Sequence, residues 1–201
     1  LRTLLASPAV RWLLAASTLR FMAGFCIGVW VVPFYRAQYP AQIGVRFALL
    51  KASVNGVAGA ASAAGGGYLT DRLSRSEQRM AQWIPAAGCV LAVPFWLGTM
   101  FAGSLELSLA ALFAEYLVAE CWFGPTVSSL QRAAPAGAQG LAQGLFNTLT
   151  LAGNLAPALV GYLLKYGNVE LPVALAYIVP ALYAASALAF VVAGGPVAGA
   201  G

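Results

Sequence analysis

Apolar residues in this chain run in long blocks rather than alternating or forming narrow stripes. Six blocks follow one another, at about 11–35, 45–69, 81–101, 105–130, 138–165 and 171–193. Runs of about 20 apolar residues span the hydrocarbon core of a bilayer as helices, because a helix satisfies its own backbone polar groups where no water can. The pattern therefore predicts an all-α membrane protein. It is one unit of six transmembrane helices over 1–193, followed by a Gly-rich tail at 194–201. The first block is too long for a signal peptide and lacks a small-residue cleavage site.

Composition carries the same message. The chain has 201 residues, of which 61% are hydrophobic and 8% charged. Soluble domains carry about 25% charge, which their surfaces need to stay dispersed. A soluble enzyme, a nucleic-acid binder and a disordered tail are excluded on that ground. There is no His, so no Ser-His-Asp triad, His metal site or His proton shuttle is expected. Cys26, Cys89 and Cys121 lie far apart and read as small buried apolar side chains. No metal and no cofactor is expected.

The net charge of +5 is spread along the chain and reads as orienting charge. With the N-terminus inside, the cytoplasmic segments hold Arg2, Arg11, Arg72, Arg75, Arg79 and Arg132. The opposite side holds Arg36, Arg46, Lys51 and Lys165. The excess favours both termini in the cytoplasm of a multi-pass protein. The chain starts at Leu1 rather than Met, and a fragment of a longer protein is expected.

Spans two and five are rich in small residues, most densely at 56–67. Small faces let helix backbones approach closely in lipid. The two spans share a pattern at an offset of 94 residues. Ala58-Gly59, Ala64 and Gly67-Tyr68-Leu69 are matched by Ala152-Gly153, Ala158 and Gly161-Tyr162-Leu163. The two spans would run in opposite directions, which suggests an inverted repeat of three plus three helices, the arrangement of many transporters. Pro33, Pro94, Pro125, Pro157 and Pro180 fall within spans and favour kinks in a mobile bundle.

Ionisable residues inside spans are costly and mark function. Four candidates stand out: Arg20, Lys51, Glu115 and Glu120. From the helical rise, Arg20 lies roughly 13 Å and Glu120 roughly 15 Å from the inner ends of their spans. At equal depth they can neutralise each other or a substrate's charge. A Glu there can also take up a proton when a conformational change separates it from the Arg. Lys51 and Glu115 form a second, looser candidate pair in the outer half. Glu115 and Glu120 are five residues apart, about 140° around the helix, so one faces the cavity and the other a neighbouring helix. Glu120 is assigned to the cavity.

After span two the chain reads Gly66-Gly67-Tyr68-Leu69-Thr70-Asp71-Arg72-Leu73-Ser74-Arg75. This resembles the signature loop of the major facilitator superfamily, G-x-L-x-D-R-x-G-R-R/K, in Gly67, Leu69, Asp71, Arg72 and Arg75. Ser74 replaces the second Gly, and the next basic residue is Arg79. Two more stretches resemble the spinster-like branch, which includes lysolipid and sphingoid-lipid transporters. One is Leu19-Arg20-Phe21 followed by Trp30-Val31-Val32-Pro33-Phe34-Tyr35-Arg36. The other is Ala119-Glu120-Cys121-Trp122-Phe123-Gly124-Pro125, then Leu130-Gln131 and Pro135. The resemblance covers most of residues 8–165 and implies the C-terminal half of a twelve-helix transporter. It implies that Arg20 and Glu120 line a central cavity, and that Gly67, Asp71, Arg72 and Arg75 form a cytoplasmic gating latch. It also implies a missing partner, either an N-terminal half or a second copy.

The expected activity is secondary active transport of an amphipathic small molecule, a lysolipid or sphingoid lipid, by alternating access with proton coupling. The expected partners are the bilayer and that substrate, not nucleic acid. The rivals are a non-transporting scaffold or regulatory half, then a channel. An aquaporin-like channel needs two N-P-A turns, and Asn154-Leu155-Ala156-Pro157 is not one. An intramembrane diacid protease needs two Asp, and Asp71 is the only one; no enzyme activity is expected.

Overall fold

The structure, a computed structural model, describes residues 2–75, 77 and 79–195. Residues 196–201, the larger part of the predicted tail, lie outside it. Every element among the described residues is helical. Helix α1 spans Pro8–Gln38, α2 Val45–Leu73, α3 Met80–Phe101 and α4 Leu105–Ala133. A fifth helical stretch, α5, covers 139–166, and α6 spans Leu171–Ala193. A short helix, Arg2–Ala6, precedes α1.

The ends follow local chemistry. Ser7 caps α1 by accepting from the Val10 N–H, and Pro8 sits at the first helical position, where its missing N–H costs nothing. Ser104 caps α4 by accepting from the Leu107 N–H. Gly137, at φ 80°, makes the turn between α4 and α5, a conformation that glycine adopts freely.

Five helices, α1 to α4 and α6, are long and apolar enough to cross a membrane. The chain is thus a multi-pass all-α integral membrane protein. The predicted span at 138–165 is not among the five. It folds in three consecutive pieces, Gln139–Leu149, a 3₁₀ turn at Thr150–Asn154, and Leu155–Tyr166. Gln143, Asn147, Thr148, Thr150 and Asn154 dilute its apolar character. Pro157 lacks the N–H that would bond the Gly153 carbonyl, so the chain tightens just before it.

Two other helices carry irregular turns. Helix α2 widens into a π turn at Val54–Ala58, and α4 tightens into a 3₁₀ turn at Glu120–Trp122. Pro125 explains the second: it cannot donate to the Cys121 carbonyl. The repeated Ala-Gly pairs mark two of these irregularities. Ala58 closes the π turn, and Ala152-Gly153 lies in the 3₁₀ turn of α5.

Helix α1 packs mainly on α6, α6 also on α3, and α3 on α4. The core fills with Leu13, Ile27, Phe34, Trp96, Leu112, Phe146 and Phe190, all essentially buried. Three polar side chains bond across this core to backbone carbonyls. Trp96 Nε1 donates to the Leu175 carbonyl at 3.0 Å, Trp30 Nε1 to the Pro157 carbonyl at 3.0 Å, and Ser186 Oγ to the Ala16 carbonyl at 2.9 Å. The approach of α2 and α3 to α4 is glycine-dependent. A Cβ on Gly88 would sit 2.6 Å from the Val118 carbonyl oxygen, and one on Gly66 would collide with Cys121. Helices α2, α3 and α4 therefore meet through Gly66, Gly88 and Cys121. Helix α2 is the least covered: 22% of its span is buried, against 39–44% for the others.

Candidate functional site

A cleft of about 480 Å³ opens between α1, α2 and α4. Arg20 and Glu120 stand at its polar end. Phe21, Phe25, Tyr116, Trp122 and Phe123 supply aromatic walls, and Gly24, Gly59 and Ala63 leave the space open. The site is amphipathic: an ion pair set among rings.

Arg20 is delivered by the centre of α1 and is 1% exposed. Its Nη2 donates to Glu120 Oε1 at 2.9 Å and to the Ala119 carbonyl at 3.1 Å. Its Cζ lies 4.9 Å from the Tyr183 ring centre and 5.6 Å from that of Trp122. Two ring faces and a carboxylate thus hold the buried cation. The 3₁₀ turn of α4 is what offers Glu120, Trp122 and the Ala119 carbonyl together. Glu120 keeps a third of its side chain exposed, so it faces the cleft while Arg20 lies behind it. Among the described residues this is the one ion pair.

Glu115 takes the other direction. It is 1% exposed and accepts from the Tyr183 hydroxyl on α6. Its Oε2, like Arg20 Nε, is buried without a hydrogen-bond partner. The five-residue spacing thus separates the two carboxylates as the helical geometry requires.

Lys51 and Glu115 are not brought into an ion pair. Lys51 Nζ donates instead to Asn55 Oδ1 at 2.6 Å and lies 5.4 Å from the Tyr116 ring centre. The reason is local. Asn55 is four residues on, so the partner is on the same helix face, and the π turn that begins at Val54 carries it into the cleft.

Gly67, Asp71 and Arg72 sit on the last turns of α2 rather than in a loop, since that helix continues to Leu73; only Ser74 and Arg75 belong to the turn beyond. Asp71, Arg72 and Arg75 are exposed. Span two is therefore longer than the apolar block, because its helix outlasts its hydrophobicity.

Four residues at the site were not singled out from sequence for a role there: Tyr183, Tyr116, Trp122 and Asn55. Asn55 had a readable signal, its spacing of four from Lys51. Tyr183 had none, because α6 carries no charge to draw attention to it. No His/Cys/Asp/Glu cluster able to hold a metal occurs among the described residues.

No protein-family model, curated protein or solved structure matches the chain.

Proposed function

We propose that the chain is one half of a secondary active transporter, the C-terminal six-helix half of a major facilitator of the spinster-like branch. In this reading α5 is the sixth crossing, and the six helices form a three-plus-three inverted repeat. The complete protein moves an amphipathic small molecule, a lysolipid or sphingoid lipid, by alternating access. The observation that carries this reading is the Arg20–Glu120 pair at the polar end of an aromatic-walled cleft. A buried guanidinium paired to a carboxylate that is a third exposed is costly, and a ligand headgroup or a proton at Glu120 can release it. The aromatic walls suit a hydrocarbon chain. Lys51 and Glu115 support the site from α2 and α4.

The poorly covered face of α2 fits a missing wall supplied by an N-terminal half or a second copy. Asp71, Arg72 and Arg75 would latch against that partner on the cytoplasmic side.

Two experiments test the reading. The first is saturable binding of a fluorescent lysophospholipid to the assembly purified from its own membranes. Binding that weakens in Glu120→Gln and Arg20→Gln is expected; absence of saturable binding overturns the lipid assignment. The second is the mass of the denatured protein from those membranes. A band near twice 20.7 kDa identifies an attached half. A band at 20.7 kDa requires a second copy, and a monomer at that mass overturns the half-transporter reading.

A further inference from the structure

Arg20 has two carboxylates within its electrostatic reach, and the structure uses only one. Glu120 holds its Nη2 from the cleft side. Glu115 lies on the core side, with one oxygen taken by the Tyr183 hydroxyl and the other without a partner. The Tyr183 ring lies against the guanidinium, 4.9 Å from ring centre to Cζ. One tyrosine therefore touches both members of a pair that has not formed.

We propose that Tyr183 is a positioning residue that decides which carboxylate Arg20 pairs with, Glu120 or Glu115. The inference deepens the transporter reading and rests on it for its purpose, though not for its geometry. In the arrangement seen, Arg20 is on Glu120, and the Tyr183 hydroxyl satisfies Glu115. When a proton or a ligand cation neutralises Glu120, Arg20 is left buried without a counter-charge, which is strongly unfavourable. The Ala119 carbonyl still accepts from it, but Glu115 Oε2 is then the unpartnered carboxylate oxygen that can supply the missing charge. Arg20 turns across the Tyr183 ring toward Glu115, and the Tyr183 hydroxyl bond to Glu115 lengthens or breaks. Because Tyr183 belongs to α6, the charge state of the cleft is transmitted to a helix that does not line it.

The other groups around this switch come from every neighbouring helix. Lys51 on α2 and Tyr116 on α4 interact electrostatically with Glu115, and Cys89 on α3 with both Arg20 and Glu115. Cys89 Sγ is 3.9 Å from Ser186 Oγ on α6. Cys121 on α4 completes the set on the Arg20 side. None of these donates a hydrogen bond to Glu115 Oε2, which remains open to Arg20.

The test is infrared difference spectroscopy of the full chain in lipid nanodiscs. Tyr183→Phe first identifies the vibrational bands of the Tyr183 hydroxyl. Glu120→Gln, which mimics a neutralised Glu120, is expected to shift those same bands, and Glu115→Gln to shift them as well. In the Glu120→Gln background, adding Glu115→Gln is expected to produce no further movement of Arg20 and to restore no Tyr183 bond. If Glu120→Gln leaves the Tyr183 bands where they are in the unmodified protein, the switch is overturned. Both substitutions are near-isosteric, and retained folding is checked by circular dichroism of the same samples. Substrate flux is measured separately. Shifted bands without flux leave the switch standing and sink the transporter reading; flux with unshifted bands does the reverse.

Discussion

Tyr183 on α6 donates its hydroxyl to Glu115 on α4, directly behind the Arg20–Glu120 pair. This contact ties a helix with no charge of its own to the most polar point of the bundle. It also gives one oxygen of a carboxylate that is 1% exposed the partner that burial in an apolar span requires.

The Arg20–Glu120 bond has a measurable energetic consequence. Glu120→Gln removes the carboxylate that Arg20 is bonded to, and hydrogen bonds to charged groups contribute about 1.5–3 kcal/mol. The expected loss is at the lower end, because Glu120 is a third exposed and water screens the pair. Adding Arg20→Met removes the stranded charge and recovers part of that loss. Reversible unfolding in mixed micelles, run as a double-mutant cycle, measures both; strictly additive effects would contradict direct pairing.

Lys51 gives a second, opposite comparison. Asn55→Leu strands a buried ammonium and is expected to destabilise by about 1–3 kcal/mol. Lys51→Met removes the charge itself and is expected to cost less. The same unfolding assay ranks the two, and the reverse ranking would show that Asn55 is not the partner that matters.

Adjacent glycines on α2 separate packing from propensity. Gly66→Ala drives a methyl into Cys121, and overpacking of this kind costs about 1–3 kcal/mol. Gly65 has nothing within 4 Å of a Cβ, so Gly65→Ala is expected to be neutral or to stabilise by up to about 1 kcal/mol through helix propensity. Equal effects at the two positions would refute the close approach of α2 to α4.

Much of the fold could be read from the chain because lipid imposes a coarse rule: apolar blocks become helices. The positions of α1 to α4 and α6 follow from that rule within a few residues. The pairing of Arg20 with Glu120 was legible too, since a fixed rise per residue converts sequence position into depth. Block length failed at 138–165, where amides, hydroxyls and Pro157 break one helix into three pieces. It also said nothing of facing. Tyr177 and Tyr183 lie six residues apart on α6, about 240° around the helix. One is 75% exposed and the other 0%, yet nothing in the local sequence marks which. The π turn of α2 contains no proline, so no residue announced it.

The crossing number of α5 is testable through parity. If α5 crosses, Thr3 and Gly195 lie on the same side of the membrane; if it does not, they lie on opposite sides. Cysteines placed at each, probed with an impermeant thiol reagent, are expected to label from the same side as a cysteine at Arg75. Labelling of Thr3 and Gly195 from opposite faces would remove the three-plus-three repeat.

The Arg20–Glu120 pair is proposed to serve transport of an amphipathic molecule. The most direct test is uptake of a fluorescent lysophospholipid by liposomes holding the assembled protein, with and without Glu120→Gln. Uptake by the unmodified protein is expected, with a loss of about tenfold or more in the variant, equivalent to about 1.4 kcal/mol or more. Uptake unchanged by Glu120→Gln at equal protein content would contradict that role.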